Sequence, residues 1–169
     1  MSVVEHKKTA MQVKCKVITV SDTRDKETDK SGKLMMRLIE NSGHIVSDYE
    51  IVKDDKGAIR SSVISGYEND EVDVILTNGG TGIALRDVTI ETVQSLFHKE
   101  IDGFGELFRM LSYTEDIGSA AILSRAAAGV IENKAVFCTP GSSGAVKLAM
   151  TKLILPELGH VVKELNKDL

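Results

Sequence analysis

The segment from Val72 to Gly82 constrains the fold more than any other part of the chain, because an apolar, β-branched run there breaks into closely spaced glycines. Such a run is typical of a buried strand, and the glycines that end it predict a loop with an exposed backbone. Glycine allows positive φ and close approach of the main chain, so successive amide N–H groups can converge on an anionic oxygen. In an α/β fold, this junction between strand and helix is where a ligand binds.

The chain alternates between patterns typical of strands and patterns typical of helices. Ser31 is the predicted N-cap and Gly43 the predicted C′ residue of the first helix, while Gly103 and Gly105 predict a break between two later helices. Strands are predicted at residues 15–20, about 45–52, the run from Val72 and 134–138. Further helices are predicted after Asp54 and Asp55, at 88–97, 104–111 and 119–129, and over most of the residues from 145 to 165. This order predicts an α/β fold, a three-layer αβα sandwich with a mainly parallel sheet.

Composition narrows the classes of protein to which the chain can belong. The 169 residues, 42% of them hydrophobic, predict a single domain at residues 13–169 behind a flexible polar arm at residues 1–12. The net charge of −4, with scattered lysines and arginines, predicts no nucleic-acid partner. No apolar run approaches the roughly 18 residues that span a bilayer, so we expect a cytoplasmic protein without membrane contact. Cys15 and Cys138 lack a CxxC pattern and are predicted to be buried thiols rather than a disulfide.

Small or polar residues follow three of the predicted strands. They are Ser21-Asp22, Thr77 to Gly82, and Thr139 to Ser143. Because the carboxyl ends of parallel strands meet at one edge of a sheet, these three loops are expected to line a common crevice.

The glycine loop matches neither of the two common nucleotide-binding motifs. No Gly-Lys-Ser/Thr follows it, as in a Walker A motif, and it is not the GxGxxG fingerprint. Its amides and the following helix N-terminus are suited to an anion, although a tight structural turn would have the same sequence. The segment from Thr139 to Ser143 leaves the same two interpretations open.

Two aspartates are candidate metal ligands. Asp87 follows the glycine loop, where a carboxylate would repel a phosphate unless a divalent cation lay between them, so it suits a Mg²⁺ anchor. The alternative is that Asp87 is the N-cap of the next helix. Asp54 has the same two interpretations, with Asp55 as a competing cap. The position of Asp87 by itself favours the cap, and two acidic groups at one sheet edge strengthen the metal interpretation.

Other candidate residues carry weaker signals. The four histidines lack metal-ligand spacing. Arg125 could bind a phosphate or form an ion pair on a helix surface. The apolar side chains concentrated between Phe104 and Leu111 predict core packing or, alternatively, a subunit interface.

Taken in order, five motifs resemble the molybdopterin-binding family of molybdenum cofactor biosynthesis, which includes MoaB, MogA and the G domain of gephyrin. The motifs are Ser21-Asp22, Thr77–Gly82 followed by Arg86–Thr89, Phe104–Arg109, Ile122–Ala126 and Thr139–Ser142. The resemblance covers about residues 14 to 160. The segment from Phe108 to Ser112 is most similar to the MoaB branch.

The resemblance implies an αβα fold, a trimer or dimer of trimers, and a nucleotidyltransferase. Active members of the family transfer AMP from Mg-ATP to the terminal phosphate of molybdopterin and release pyrophosphate. By this resemblance Asp54 and Asp87 are the catalytic residues, with Asp87 holding Mg²⁺ and Asp54 as a second candidate ligand. Molybdopterin and ATP would contact Ser21, Asp22, Thr77, Gly79, Gly80, Thr81, Gly82, Gly141 and Ser142.

The chain also departs from the family pattern. Asn78 stands where threonine is usual, and Ile90 stands where proline is common. The alternative is a non-catalytic molybdopterin-binding or carrier protein that does not use ATP, but the presence of both Asp54 and Asp87 favours the enzyme. A third hypothesis is action on another nucleotide, as in the related CinA-type domains, which usually lie in longer chains.

Overall fold

Strands and helices alternate over residues 11–169, the part of the chain that the computed structural model describes, and they build one six-stranded sheet. The strands are β1 (Lys14–Val20), β2 (Ile45–Val52), β3 (Val74–Asn78), β4 (Lys99–Glu100), β5 (Ala127–Ile131) and β6 (Lys134–Thr139). Their order across the sheet is β2-β1-β3-β6-β5-β4. Strands β2, β1, β3 and β6 pair in parallel, whereas β5 and β4 add antiparallel pairs at one edge.

Helices cover both faces of this sheet. They are α1 (Lys30–Asn41), α2 (Lys56–Glu68), α3 (Thr89–Gln94), α4 (Asp102–Glu115), α5 (Ser143–Ala149) and α6 (Leu155–Asn166). A 3₁₀ helix spans Gly118–Leu123, and a π-helical turn at Met150–Ile154 joins α5 to α6.

Alternate residues of the central strands face opposite layers. Val74 and Leu76 of β3 lie in a core cluster with α1, α4, α5 and α6, whereas Ile75 lies in a second cluster with α2 and α3. Side chains alternate in this way because successive residues of a strand point to opposite faces. The predicted three-layer αβα sandwich with a mainly parallel sheet is confirmed.

The prediction of an alanine-rich helix at 119–129 is wrong. These residues form the 3₁₀ helix and then enter β5, which pairs with β6. Gly129 of β5 has no room for a side chain, because a Cβ on it would lie 2.3 Å from the Phe97 ring. Tertiary packing therefore overrides the high helix propensity of alanine.

Several helix boundaries also differ from the predictions. Gly103 and Gly105 lie inside α4, so the predicted break is wrong; the chain instead breaks earlier, around the short strand β4. Asp29 rather than Ser31 caps α1, because its carboxylate accepts a hydrogen bond from the Gly32 N–H at 3.0 Å. Gly43, with φ of +84°, follows the Ser42 C-cap as predicted.

The remaining predictions about the chain concern its first residues, its cysteines and its membrane contacts. The predicted arm lies outside the described residues except for Met11 and residue 12, and Met11 packs against the core. Cys15 and Cys138 are buried free thiols, as predicted. No helix between residues 11 and 169 has the length and apolar character needed to cross a membrane.

Candidate functional site

Three loops converge at the carboxyl edge of β1, β3 and β6, which are neighbours in the sheet. They enclose a cleft of about 500 Å³, hereafter the cleft. Its walls include Ser21, Asp22, Arg24, Asp54, Gly79–Gly82, Arg86, Asp87, residues 123–125, Pro140 and Gly141. The crevice predicted from the three strand ends is therefore present. Nine of the predicted site residues line it: Ser21, Asp22, Asp54, Gly79, Gly80, Thr81, Gly82, Asp87 and Gly141.

The glycine loop (Gly79–Gly82) depends on backbone that a side chain would obstruct. Gly79 has φ of +98°, and a Cβ on it would lie 2.3 Å from the Val20 carbonyl oxygen. Gly80 has φ of +67°, and a Cβ on it would lie 2.2 Å from Thr89 Oγ1. Both positions therefore require glycine, for their positive φ and for close approach. The base of the loop is held by the Thr89 N–H, which donates to the Gly80 carbonyl at 3.0 Å.

Consecutive amides of this loop have no acceptor within residues 11–169. The Gly79 N–H donates to the Thr139 carbonyl, but the N–H groups of Gly80, Thr81 and Gly82 donate to no acceptor in that range. Thr81 is only 4% exposed. Because buried amides are almost always paired, an unpaired series in a concave wall is suited to an anionic ligand.

Asp54 and Asp55, which lie between β2 and α2, have separate roles. Asp55 is the N-cap of α2, because its carboxylate accepts from the Ala58 N–H at 2.8 Å. Asp54 instead lines the cleft, and its backbone N–H donates to Asp22 Oδ1 at 3.0 Å. The structure therefore selects Asp54, and not Asp55, as the carboxylate that faces the site.

Asp87 also lines the cleft rather than capping the following helix. The cap position of α3 is Val88, and no side chain there makes a capping hydrogen bond. The Asp87 carboxylate accepts a hydrogen bond from the Ala84 N–H at 3.0 Å, and its Oδ2 lies 2.5 Å from where a Cβ of Gly82 would be. The N-cap interpretation of Asp87 is therefore wrong.

Negative charge accumulates where the glycine loop opens. Arg86 pairs with Asp22 at 2.6 Å, whereas Asp54 and Asp87 form no ion pair with any residue between 11 and 169. Burial, and then the negative charges of Asp22 and Asp87, raise the pKa of Asp54 above its ordinary value. A cation bound between the two uncompensated carboxylates would relieve this repulsion.

The donor set fits Mg²⁺ better than a metal held by protein ligands alone. Within the described residues, no three His, Cys, Asp or Glu side chains are close enough to hold a metal ion together. Mg²⁺ in phosphate-transfer sites characteristically binds one or two carboxylates and takes its other ligands from substrate phosphates and water. Asp54 and Asp87 can supply such a pair.

Arg24 joins the loop after β1 to the loop after β6. Its Nη2 donates to the Gly141 carbonyl at 2.9 Å, and its Nη1 donates to Ser31 Oγ at 2.6 Å. Ser21 Oγ fixes the start of the same loop by accepting from the Arg24 N–H at 3.0 Å. Sequence reasoning missed Arg24 because an arginine in a charged loop gives no local signal of a long-range partner.

A buried polar network lies behind the glycine loop. Asn78 accepts from the Ser31 hydroxyl at 2.8 Å and donates to Thr19 Oγ1 at 2.9 Å. The Thr19 hydroxyl donates to the Asp29 carboxylate at 2.7 Å, and the Tyr49 hydroxyl donates to the same carboxylate. The network thus ties the end of β3 to the start of α1. Ser31, predicted as a helix cap, is one of its members.

Two predicted site residues lie outside the cleft lining. Thr77 is fully buried within β3, and its carbonyl accepts from the Thr139 hydroxyl at 3.1 Å. Ser142 is the N-cap of α5 and accepts from the Ala145 N–H at 3.1 Å. Both residues therefore support the loops that carry the cleft, and neither lines it.

Arg125 lies at the far wall of the cleft, between the 3₁₀ helix and β5. It forms an ion pair with Glu91 of α3, but it does not lie on a helix, as one interpretation of its sequence required. Its Nε donates to the carbonyls of the glycine loop.

Comparison with known proteins identifies the family to which this chain belongs. The family described as probable molybdopterin binding domain matches residues 16–160. The molybdenum cofactor biosynthesis protein B of Bacillus subtilis (strain 168) is 67% identical over 169 residues, covering 99% of each chain.

Solved structures agree with this match. A crystal structure of molybdenum cofactor biosynthesis protein B is 62% identical, with a TM-score of 0.93, and the match covers 95% of this chain and 99% of that one. The tungsten cofactor synthesizing protein MoaB from Pyrococcus furiosus is 40% identical, with a TM-score of 0.82 and coverage of 92% and 98%. The chain belongs to the family of probable molybdopterin binding domains.

Proposed function

We propose that this protein acts in molybdenum cofactor biosynthesis by adenylylating molybdopterin. In the proposed reaction, the terminal phosphate of molybdopterin attacks the α-phosphorus of Mg-ATP, adenylyl-molybdopterin forms and pyrophosphate leaves. The pathway is supported by the similarity to proteins described as molybdenum cofactor biosynthesis protein B. The two buried free thiols agree with a cytoplasmic protein, because reducing compartments keep cysteines unpaired.

One observation carries the catalytic part of the proposal: Asp54 and Asp87 flank the unpaired amides of the glycine loop and lack ion-pair partners within residues 11–169. A protein that only bound a phosphorylated pterin would gain from the amides and lose from the two carboxylates. Carboxylates beside a phosphate become favourable when a divalent cation binds to both.

The chain's own residues would act mainly by orientation and charge compensation. The attacking phosphate is already anionic, so the reaction needs no strong general base. The free amides of Gly80, Thr81 and Gly82 would orient an anionic oxygen, and Arg86 adds positive charge at the cleft mouth. A bound Mg²⁺ would reduce the repulsion between the two negatively charged substrates.

The test is pterin-dependent pyrophosphate release from ATP and Mg²⁺ by the purified protein. Asp87→Asn and Asp54→Asn are each expected to reduce turnover by at least about 10²-fold, the scale for losing one key electrostatic group, while molybdopterin still binds. Asp55→Asn is the matched control: it changes the same charge one residue away, and asparagine also caps helices well. Tight pterin binding by the wild type without pyrophosphate release would contradict the enzyme and favour the carrier.

We also propose that the protein self-associates, as a trimer or a dimer of trimers, through α4. Leu107, Met110 and Tyr113 recur every third residue, so they share one helix face, and all three are exposed. Exposed apolar patches of this kind are typical of interaction surfaces. Light scattering on the eluting protein should give a multiple of the 18.3 kDa chain mass, and Met110→Glu should reduce it. A wild-type mass of 18.3 kDa would contradict self-association.

A further inference from the structure

We propose that Arg125 is a positioning residue that fixes the glycine loop and Asp87 in their working arrangement, with Glu91 holding the arginine in place. The inference deepens the adenylyltransferase proposal and rests on it for its kinetic consequences. It assigns Arg125 a structural action on the reacting groups, rather than contact with a substrate phosphate.

The hydrogen bonds of Arg125 reach three successive parts of the site wall. Nε donates to the carbonyls of Thr81 at 3.0 Å and Gly82 at 3.1 Å. Nη2 lies 3.5 Å from the Asp87 carbonyl and 3.3 Å from Glu91 Oε2, and Nη1 donates to the other carboxylate oxygen of Glu91. One side chain thus joins the glycine loop, the residue predicted to bind Mg²⁺ and helix α3.

These contacts leave the guanidinium little capacity for a substrate. Each of its three nitrogens already donates to at least one protein acceptor. The planar fork suits a carboxylate such as Glu91, which is held in two-point contact. The Arg125 hydrogen bond also lowers the pKa of Glu91, so the pair remains ionised at neutral pH.

The direction of the contacts matters for the unpaired amides. A trans peptide holds its N–H antiparallel to its C=O, and the described chain contains no cis peptide. Arg125 binds the carbonyls of Thr81 and Gly82. The N–H groups of these two peptides belong to Gly82 and to residue 83, so they point away from Arg125. Arg125 therefore keeps carbonyl oxygens, which would repel a phosphate, on the side of the loop opposite those N–H groups.

The loop has few other restraints between its base and Asp87. Residues 83–86 are exposed. The Thr89 N–H holds the base at Gly80, and the Ala84 N–H and the Asp87 N–H close the tip by local hydrogen bonds. Arg125 comes from the segment before β5, so it ties this loop to the antiparallel part of the sheet. The Arg86–Asp22 ion pair and the bond from the Gly79 N–H to the Thr139 carbonyl tie the loop to the ends of β1 and β6 instead.

The experiment compares Arg125→Lys, Glu91→Ala and the double variant with the wild type, using Arg37→Lys, an exposed arginine of α1, as the matched control. Arg125→Lys keeps the charge and removes the fork. We expect kcat to fall at least about 10-fold through misplacement of reacting groups, with KM for ATP and molybdopterin changing less than about 3-fold. Glu91→Ala should lower kcat in the same sense, and the double variant should resemble Arg125→Lys, because both residues act in one unit.

Hydrogen exchange of the amides at residues 82–88 supplies a readout that does not depend on activity. Exchange there should be faster in Arg125→Lys and Glu91→Ala than in the wild type and Arg37→Lys, at an unchanged unfolding midpoint. Unchanged loop exchange would overturn the proposal, as would a KM increase of about 10-fold or more in Arg125→Lys with normal kcat and a normal Glu91→Ala enzyme. If the wild type releases no pyrophosphate, the adenylyltransferase proposal fails while the exchange measurement still decides the role of Arg125.

Discussion

Replacing Gly80 by alanine separates two physical reasons for glycine in the loop. With φ of +67°, alanine at this position carries left-handed strain of about 1 to 2 kcal/mol. Its Cβ would also lie 2.2 Å from Thr89 Oγ1 and 3.0 Å from Asp54 Oδ1, and relieving such overpacking adds about 1 to 3 kcal/mol. We therefore expect Gly80→Ala to lower the free energy of unfolding by about 2 to 5 kcal/mol.

Gly118 provides the control for backbone strain, because its φ is +62° and a Cβ on it would have no neighbour within 4 Å. In urea titrations, Gly118→Ala should lose only the strain of about 1 to 2 kcal/mol. Adding Thr89→Ala to Gly80→Ala should recover about 1 kcal/mol or more, whereas adding Thr89→Ser, which keeps the hydroxyl, should not. Equal losses in Gly80→Ala and Gly118→Ala would refute the close-packing argument.

Three further outcomes can be measured. Asp54→Asn should stabilise the protein at pH 7 in urea titrations, because a raised carboxyl pKa makes stability fall as pH rises through it; the gain should vanish below about pH 4. Cys15 and Cys138, whose pKa burial raises to about 12, should react with an aromatic disulfide reagent at pH 8 only after unfolding. Asp29→Ala should lower the free energy of unfolding by at least about 3 kcal/mol, because several buried donors lose their acceptor; urea titration at pH 7 measures this.

The sheet and the convergence of three loops were predictable because their signals are local. Apolar β-branched runs identify β1, β3 and β6, and the carboxyl ends of parallel strands must meet at one edge. The antiparallel strand β5 was not predictable in this way. Its Gly129 lies against the Phe97 ring, and a contact between distant segments leaves no periodic pattern in the sequence.

The aspartates show the same division within the site. The sequence could not decide which of Asp54 and Asp55 caps α2 and which faces the cleft, because aspartate suits both a helix cap and a metal site. The hydrogen bond from the Ala58 N–H to Asp55 identifies Asp55 as the cap. Ser31 was the predicted cap of α1, but Asp29 caps this helix and Ser31 donates to Asn78 in the buried network. Chemistry was readable from the sequence, whereas the choice between adjacent residues of one chemistry required geometry.

The strand order β2-β1-β3-β6-β5-β4 has a consequence for how the cleft could acquire a different ligand. The loops that form its floor follow β1, β3 and β6. Each of these strands has a neighbour on both sides, so they can separate only when the whole sheet opens. The Arg125 wall comes instead from the segment leading into β5, near the antiparallel edge of the sheet. Insertions or substitutions near that edge would reshape one side of the cleft and leave intact the floor that is proposed to bind the anion, so specificity and foldability can vary independently.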